Sequence, residues 1–548
     1  MIRDAIVPDA SKNRAMENHS SFDEFDRETW QNLRDTEPCT IEPFAISHQP
    51  SAMTRITAGV LALVSVAAGA QTHAGDPTLA RIRSEGLEHS QVAPVFDMLT
   101  VTIGPRLTAS PAHKRAAEWV RDRLASHGLD NVRFEPWNFG RGWALQKLTI
   151  EMIEPRYVPL LGYADGWSAS TAGEIVAAPV FIGGKSLDDV EAMRAQLKGA
   201  IVMSQPMMTT FVRKDRPQPS DPNYVPNSAA YATSVGRGAQ PAAPSPPAET
   251  PAQRGLRILR ESGVGVILRP SIGEHGTVFV TGRDGGPGAV PSVTLSGEHY
   301  NMIARMLEQK VPVKLRVNVQ STFYDEDGGN AYNVTAEIAG TDPALRDEVV
   351  MIGAHLDSWH TGVGATDNAD GSTTVMEAMR ILKAIGARPR RTIRVALWGG
   401  EEQGLLGSKA WVAQHLAGPA NAAAREKFDV YYNIDNGTGP IYGWYLQNME
   451  EVRPIFDGWL APLKDLGARR NVSEPVGSTD HLSFIDAGVA GFNPIQDYVN
   501  YDTRTHHTNM DTADRLNVSD LRQAAIVMAT FAYQSANLDR KLPRPAAK

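Results

Sequence analysis

Val349-Val-Met-Ile-Gly-Ala-His-Leu-Asp-Ser-Trp359 and Thr392-Ile-Arg-Val-Ala-Leu-Trp-Gly-Gly-Glu-Glu402 decide the fold. Each begins as an apolar run of strand length, rich in β-branched residues, and passes directly into residues that can carry chemistry. Between them the glycine-rich turn Gly364-Ala-Thr-Asp-Asn-Ala-Asp-Gly-Ser372 leads into a helix expected over 371–385. Further on, the pattern predicts helices over 407–415, 452–466 and 518–535, with strands over 430–434 and 491–494. Strands alternating with helices imply an α/β fold, a mostly parallel sheet flanked by helices. In that architecture ligands collect at the carboxyl ends of the strands, which is where these polar clusters fall.

Working outward, residues 112–127 carry apolar positions at helical spacing, and Leu148, Ile150 and Met152 alternate with more polar neighbours as in a strand. A second unit then shows short apolar strands over 175–180, 200–203, 265–268, 278–280 and 293–295, with helices near 188–196 and 253–262. The expected division is one domain from 76–159 and 321–540, with a smaller α/β domain inserted over 160–320. A Pro-, Ala- and Ser-rich surface excursion interrupts the insert at 214–252.

The chain has 548 residues and a formal net charge of -8, which offers no broad basic surface for nucleic acid or anionic membrane. Small molecules or peptides are the expected partners. Met53-Thr-Arg-Ile, an apolar run over 58–68 and the small-residue pattern Ala68-Gly-Ala70 have the layout of a secretory signal peptide over 53–70. Residues 1–52 then read as a non-native or disordered extension, and the mature protein as exported to the periplasm or the extracellular space with no membrane association. The single cysteine, Cys39, lies in that extension, so disulfides and thiolate chemistry are not expected.

Five clusters can carry chemistry. In His355-Leu-Asp357 the two side chains point the same way along an extended chain, which places Asp357 to accept the second ring N–H of His355. Asp367 and Asp370 lie in the turn before a helix, where an acid also serves as a cap; Asp370 suits that role better. Glu401 and Glu402 are adjacent acids after an apolar strand. They repel each other unless a cation or a shared proton offsets the charge, or unless the turn is simply exposed. Asp435 closes another strand, and His506-His507 sits in a polar loop before the last helix. Two histidines and several acids, each after a separate strand of one sheet, suit zinc, with cobalt or manganese as substitutes.

The chain resembles the co-catalytic zinc peptidases (peptidase family M-28), which include bacterial leucine aminopeptidases and plasma glutamate carboxypeptidase. The resemblance rests on Gly353-Ala-His-Leu-Asp-Ser-Trp359, Glu401-Glu-Gln-Gly404, Ser478-Thr-Asp-His481 and His506-His-Thr-Asn-Met-Asp-Thr512, in this order. Gly104-Pro-Arg-Leu-Thr-Ala-Ser110 is similar to the family's early segment, and residues 160–320 to its protease-associated domain.

The resemblance implies two zinc ions bridged by Asp367, one completed by His355 and Asp435 and the other by Glu402 and His507. It implies Glu401 as general base, Asp357 in the catalytic set, and a cis peptide between Asp367 and Asn368. It leaves the oxyanion donor unassigned, because Val476-Gly-Ser478 stands where aminopeptidase relatives have a tyrosine. Tyr498 and Tyr501 are nearby, as substrate-binding or as packing aromatics. Asp480 and His481 either line the site or form a buried structural pair.

The implied activity is exopeptidase action on a peptide or dipeptide, with aminopeptidase specificity first. Carboxypeptidase or dipeptidase action comes second, a branch toward which His355-Leu-Asp-Ser-Trp359 and the paired histidines lean. A receptor-like binding protein on the same scaffold and a one-metal cyclase-like transferase are the competing classes. A homodimer stays open.

Overall fold

The polar clusters all sit on one seven-stranded sheet. In the computed structural model, which describes residues 76–545 apart from 222, 223, 225–248, 287, 326 and 436, its strands are β1 Asp130–Asn138, β2 Asn330–Ile338, β3 Val349–His355, β4 Thr392–Trp398, β5 Phe428–Asn433, β6 Thr438–Tyr445 and β7 Ala490–Asp497. Their order is β1-β2-β4-β3-β5-β7-β6. The expected N-terminal extension, signal peptide and Cys39, and most of the Pro-rich excursion, lie outside the described residues.

The pairs β4–β3, β3–β5 and β5–β7 are parallel, whereas β1–β2, β2–β4 and β7–β6 are antiparallel. The expected parallel sheet is therefore the centre of a mixed one. Its four central strands are buried on both faces, which is why they read as continuous apolar runs. Val350, Ile352 and Ala354 of β3 face one core, with Ile393, Val395 and Leu397 of β4 and the helices Asp370–Ala384 and Val518–Asn537. Met351, Ala396, Trp398 and Tyr431 face the other, with Trp411 and Phe484 from helices Leu406–His415 and His481–Asp486. The period-two alternation thus sends neighbouring residues of each strand into different cores. Among the described residues no helix is long and apolar enough to cross a membrane.

The remaining strands build two further sheets. Gly142–Glu154 and Lys314–Tyr324 form a long antiparallel ribbon joined by Val158–Pro159 and Ile175–Ala177. A five-stranded sheet runs Gly162–Ala164, Ser292–Leu295, Val266–Pro270, Ile201–Met203 and Val180–Phe181. Trp143, Ile150 and Met152 of the ribbon share one buried core with Ile201, Val266 and Val293 of that sheet. Residue 320 falls inside one ribbon strand and the other lies wholly before residue 160, so the core shared by the ribbon and the five-stranded sheet crosses both expected limits. Residues 278–280, expected as a strand, instead form an isolated bridge from Phe279 to Thr508.

Candidate metal centre

The central parallel strands end side by side, and each end delivers one part of the cluster. His355 is the last residue of β3 and is fully buried. Its Nδ1 lies 3.0 Å from the backbone oxygen of Asp357, which fixes the ring and leaves Nε2 pointing inward. The Asp357 carboxylate is 3.7 Å from Nδ1, beyond hydrogen-bond length, and serves a different purpose. It accepts from Thr108 Oγ1 at 2.8 Å and from the backbone N–H groups of Glu401 and Glu402 at 3.2 and 3.3 Å. Asp357 therefore holds the start of the Glu401-Glu402 turn, so that adjacent residues can present two acids in different directions.

Asp367 lies in the turn opening the helix Asp370–Ala384. The turn needs Gly364, which has φ 60 and whose hypothetical Cβ would lie 2.3 Å from that of Ser358. The Asp367–Asn368 peptide is cis. Asp511 receives the N–H groups of Thr366 and Asp367 at 2.7 and 3.3 Å, and Asn368 Nδ2 donates to Ile434 O at 2.9 Å. Asp435 follows β5, its carbonyl held by Asn493 Nδ2 at 2.8 Å.

The side chains meet around Asp367. His355 Nε2 is 3.1 Å from Asp367 Oδ1 and 3.5 Å from Asp435 Oδ1, with Glu401 Oε2 at 4.0 Å. On the far side His507 Nε2 is 3.4 Å from Asp367 Oδ2 and 2.8 Å from Glu402 Oε2. His355, Asp367 and Asp435 form one group with ligand-like spacing, and Asp367 joins the paired histidines in another. Two groups sharing one carboxylate suit a pair of metal ions, and in the second Glu402 also stands 2.8 Å from His507.

The electrostatics agree. His355 Nε2, Asp367 Oδ2 and Glu402 Oε1 are buried without a hydrogen-bond partner, an arrangement whose cost a cation would remove. Burial disfavours a charged imidazole, yet Glu402 and Asp367 lift the His507 pKa to about 9, and Asp435 and Glu401 lift that of His355 well above its ordinary value. Burial and the neighbouring Asp367 push Glu402 up to about 7, while burial raises Glu401 well above the carboxylate range. The pocket thus favours positive charge at both imidazoles, which divalent cations would supply.

The profile of peptidase family M28 matches residues 333–532. Over this stretch the chain is similar to peptidase family M28. It is accordingly a peptidase, a hydrolase of peptide bonds. Bovine (Bos taurus) carboxypeptidase Q is 27% identical over 508 residues, 89% of this chain and 98% of the relative. A peptidase M28 precursor from Shewanella amazonensis has a similar structure, with TM-score 0.64 and 27% identity over 86% of this chain and 99% of its own. The zinc aminopeptidase of Bacillus subtilis shares the fold at TM-score 0.54 and 19% identity, over 82% of this chain and 96% of its own.

Within this site the remaining sequence candidates part company. His507 rather than His506 approaches Glu402; His506 Nε2 is 4.0 Å from Asp367 Oδ2, and its ring stacks on Tyr501 with centroids 5.0 Å apart. His507 has φ 60, a conformation uncommon outside glycine. Asp480 is buried and pushed up to about 7 by that burial, near enough to His355 for their charges to interact. His481 instead turns away, with Nε2 3.0 Å from Val476 O. Tyr498 is buried, its hydroxyl 2.9 Å from that of Tyr445 and its ring 4.0 Å from the Arg216 guanidinium.

The roles of three further residues were not read from the sequence. Arg106 is fully buried and donates to the carbonyls of Leu356, Leu99, Gly104, Val363 and Gly364, tying β3's end to the Asp367 turn. Asp511 aligns the Asp367 backbone. Trp359 lies 5.9 Å from the His507 ring. All three lie in segments similar to the family's, residues 104–110, 353–359 and 506–512, but their residue types alone do not announce these roles.

Proposed function

We propose that this protein is a two-zinc exopeptidase that hydrolyses short peptides. Asp367 would be shared between the ions, His355 and Asp435 would complete one site, and Glu402 and His507 the other. The convergence of these five side chains on Asp367, with Glu401 beside them and unused as a ligand, carries the reading. When bound, the two zinc ions would polarise the scissile carbonyl and acidify a water.

The chain supplies the rest. Glu401, 4.0 Å from His355 Nε2, accepts the proton of the attacking water and passes it to the leaving amine. Asp357 holds the backbone of the Glu401-Glu402 turn, so that one acid reaches the metal pair while its neighbour stays free for proton transfer. Trp359 and the inserted domain, read here as protease-associated, wall the site on the His507 side.

Carboxypeptidase or dipeptidase action is the preferred specificity, because the match to carboxypeptidase Q runs nearly the whole length of that relative. Aminopeptidase action is the second reading, supported by the fold shared with the Bacillus enzyme. Export from the cytoplasm is part of the same proposal and rests on the sequence pattern at residues 53–70.

A panel of dipeptides and longer peptides with free, amino-blocked or carboxyl-blocked ends tests the reading on zinc-loaded protein. Release of the carboxyl-terminal residue from amino-blocked peptides supports the preferred specificity, whereas a strict need for a free amino end supports the second. No hydrolysis of any member by protein holding two zinc ions would overturn the assignment.

A further inference from the structure

A groove of about 790 Å³ between residues 165 and 292 has four arginines in its lining: Arg257, Arg260, Arg269 and Arg283. Two of these are engaged. Arg257 makes a two-pronged contact with Glu249 at 2.8 and 3.0 Å, and Arg269 pairs with the buried carboxylate of Asp165, which also accepts from Thr294 Oγ1. Arg260 and Arg283 are exposed and meet no carboxylate within ion-pair distance among the described residues. The lining therefore carries an excess of positive charge on a chain whose formal net charge is -8.

Two connections tie this groove to the metal centre. Val280 N donates to the backbone oxygen of His507 at 3.0 Å, and three residues later the same segment supplies Arg283. Three extended residues span at most roughly 10 Å. Between them Gly282 abuts Gly166 so closely that a Cβ would lie 2.2 Å from Gly166 O, making the seam backbone against backbone. The second connection is aromatic: Trp167, on the groove wall, meets Trp359 edge-on at 6.4 Å, and Trp359 meets the His507 ring at 5.9 Å.

We propose that the groove is a remote subsite for acidic peptide substrates, taking carboxylate side chains about three or more residues away from the bond being cut. The inference rests on the peptidase reading above and deepens it. Guanidinium groups recognise carboxylates through paired N–H donors. The four here come from three separate elements: the helix Pro251–Glu261, the strand Val266–Pro270 and the segment leading from Val280. Spaced carboxylates along a peptide suit that distribution better than one compact anion. A dipeptide is too short to reach it.

The test uses full-length, zinc-loaded protein and peptide pairs identical at the two residues flanking the cleaved bond. Pentapeptides carry Glu or Gln at the other positions, and dipeptides serve as the length control. The acidic pentapeptide is expected to have kcat/KM about tenfold above its Gln counterpart, the size of one charge-assisted contact, mainly through KM. That ratio should fall toward one in the Arg260→Gln/Arg283→Gln double variant and at high salt, and recover in part with lysine at both positions.

A ratio near one in the unaltered protein, or a ratio that survives the double substitution, would overturn the proposal. Binding is read separately by fluorescence polarisation of labelled acidic pentapeptide on Glu401→Gln protein, with and without the two arginine substitutions. Should no peptide be cleaved, the functional reading fails, and a difference between those two binding curves still decides whether the groove holds acidic chains. Equal binding of Glu and Gln peptides there would sink it.

Discussion

The two ends of the parallel strands both bury charge, and they handle it differently. At the amino end Arg391, almost wholly buried, sets Nε 2.6 Å from Glu348 and 3.8 Å from Asp429, while Arg544 donates to the carbonyls of Arg425 and Phe428. The acids there face resident guanidinium groups, whose charge does not come and go. At the carboxyl end Asp367, Glu401 and Glu402 have only imidazoles within ion-pair distance among the described residues. Arg106, whose charge reaches Asp367 and Glu402, spends its donors on five carbonyls. A charge excess balanced by the chain's own cations braces a structure; one left unbalanced awaits cations from outside.

Glu401→Gln probes the carboxyl end most severely. It should lower kcat by about a hundred- to ten-thousandfold while both metals stay bound, because a proton acceptor is lost and no ligand is. Kinetics paired with metal analysis check this, and near-normal turnover would show that another group moves the proton. His507→Ala comes next: one of two metals should be lost or bound far more weakly, read by chelator competition, whereas His506→Ala should retain both. If His506→Ala is the variant that sheds metal, the two ligand roles are reversed.

Asp357→Asn is a milder break. The backbone oxygen used by His355 survives, but an amide cannot accept from Thr108 and from both N–H groups of the Glu401-Glu402 turn as the carboxylate does. Activity should fall about ten- to a hundredfold with metal content kept, the range for residues supporting metal ligands. Loss of metal instead would mean that the carboxylate governs His355 directly.

The smallest effect lies at the amino end. Burial raises the Asp429 pKa from 3.8 to about 7, against the N–H of Leu542 and the charge of Arg391. Since the folded value exceeds the unfolded one, the associated stability is complete below about pH 4 and is lost as pH rises through 7. Asp429→Asn removes that loss, so its melting temperature relative to the parent should climb by a few degrees between pH 5 and pH 8. A difference independent of pH would contradict this account of Asp429.

What was legible follows the same division. β3 and β4 were visible because strands buried on both faces are apolar along most of their length, and the helices Asp370–Ala384 and Val518–Asn537 by the apolar positions they carry between such strands and polar turns. β1, with Pro136 inside it and a half-exposed pattern, gave no clear signal, as edge strands seldom do. The ribbon Gly142–Glu154 and Lys314–Tyr324 pairs residues some 160 positions apart in sequence, which no local pattern reveals. At the site, the ligand types and their place after strands could be read. The separate duties of the Asp357 carbonyl and carboxylate, and the buried bracing by Arg106 and Asp511, depend on which way atoms point.

The most direct test of the central claim is a crystal of the protein grown with zinc and measured on both sides of the zinc absorption edge. Two anomalous peaks in contact with Asp367 are expected, one bounded by His355 and Asp435 and the other by Glu402 and His507. No peak at Asp367, or a single ion leaving Glu402 and His507 unliganded, would contradict it.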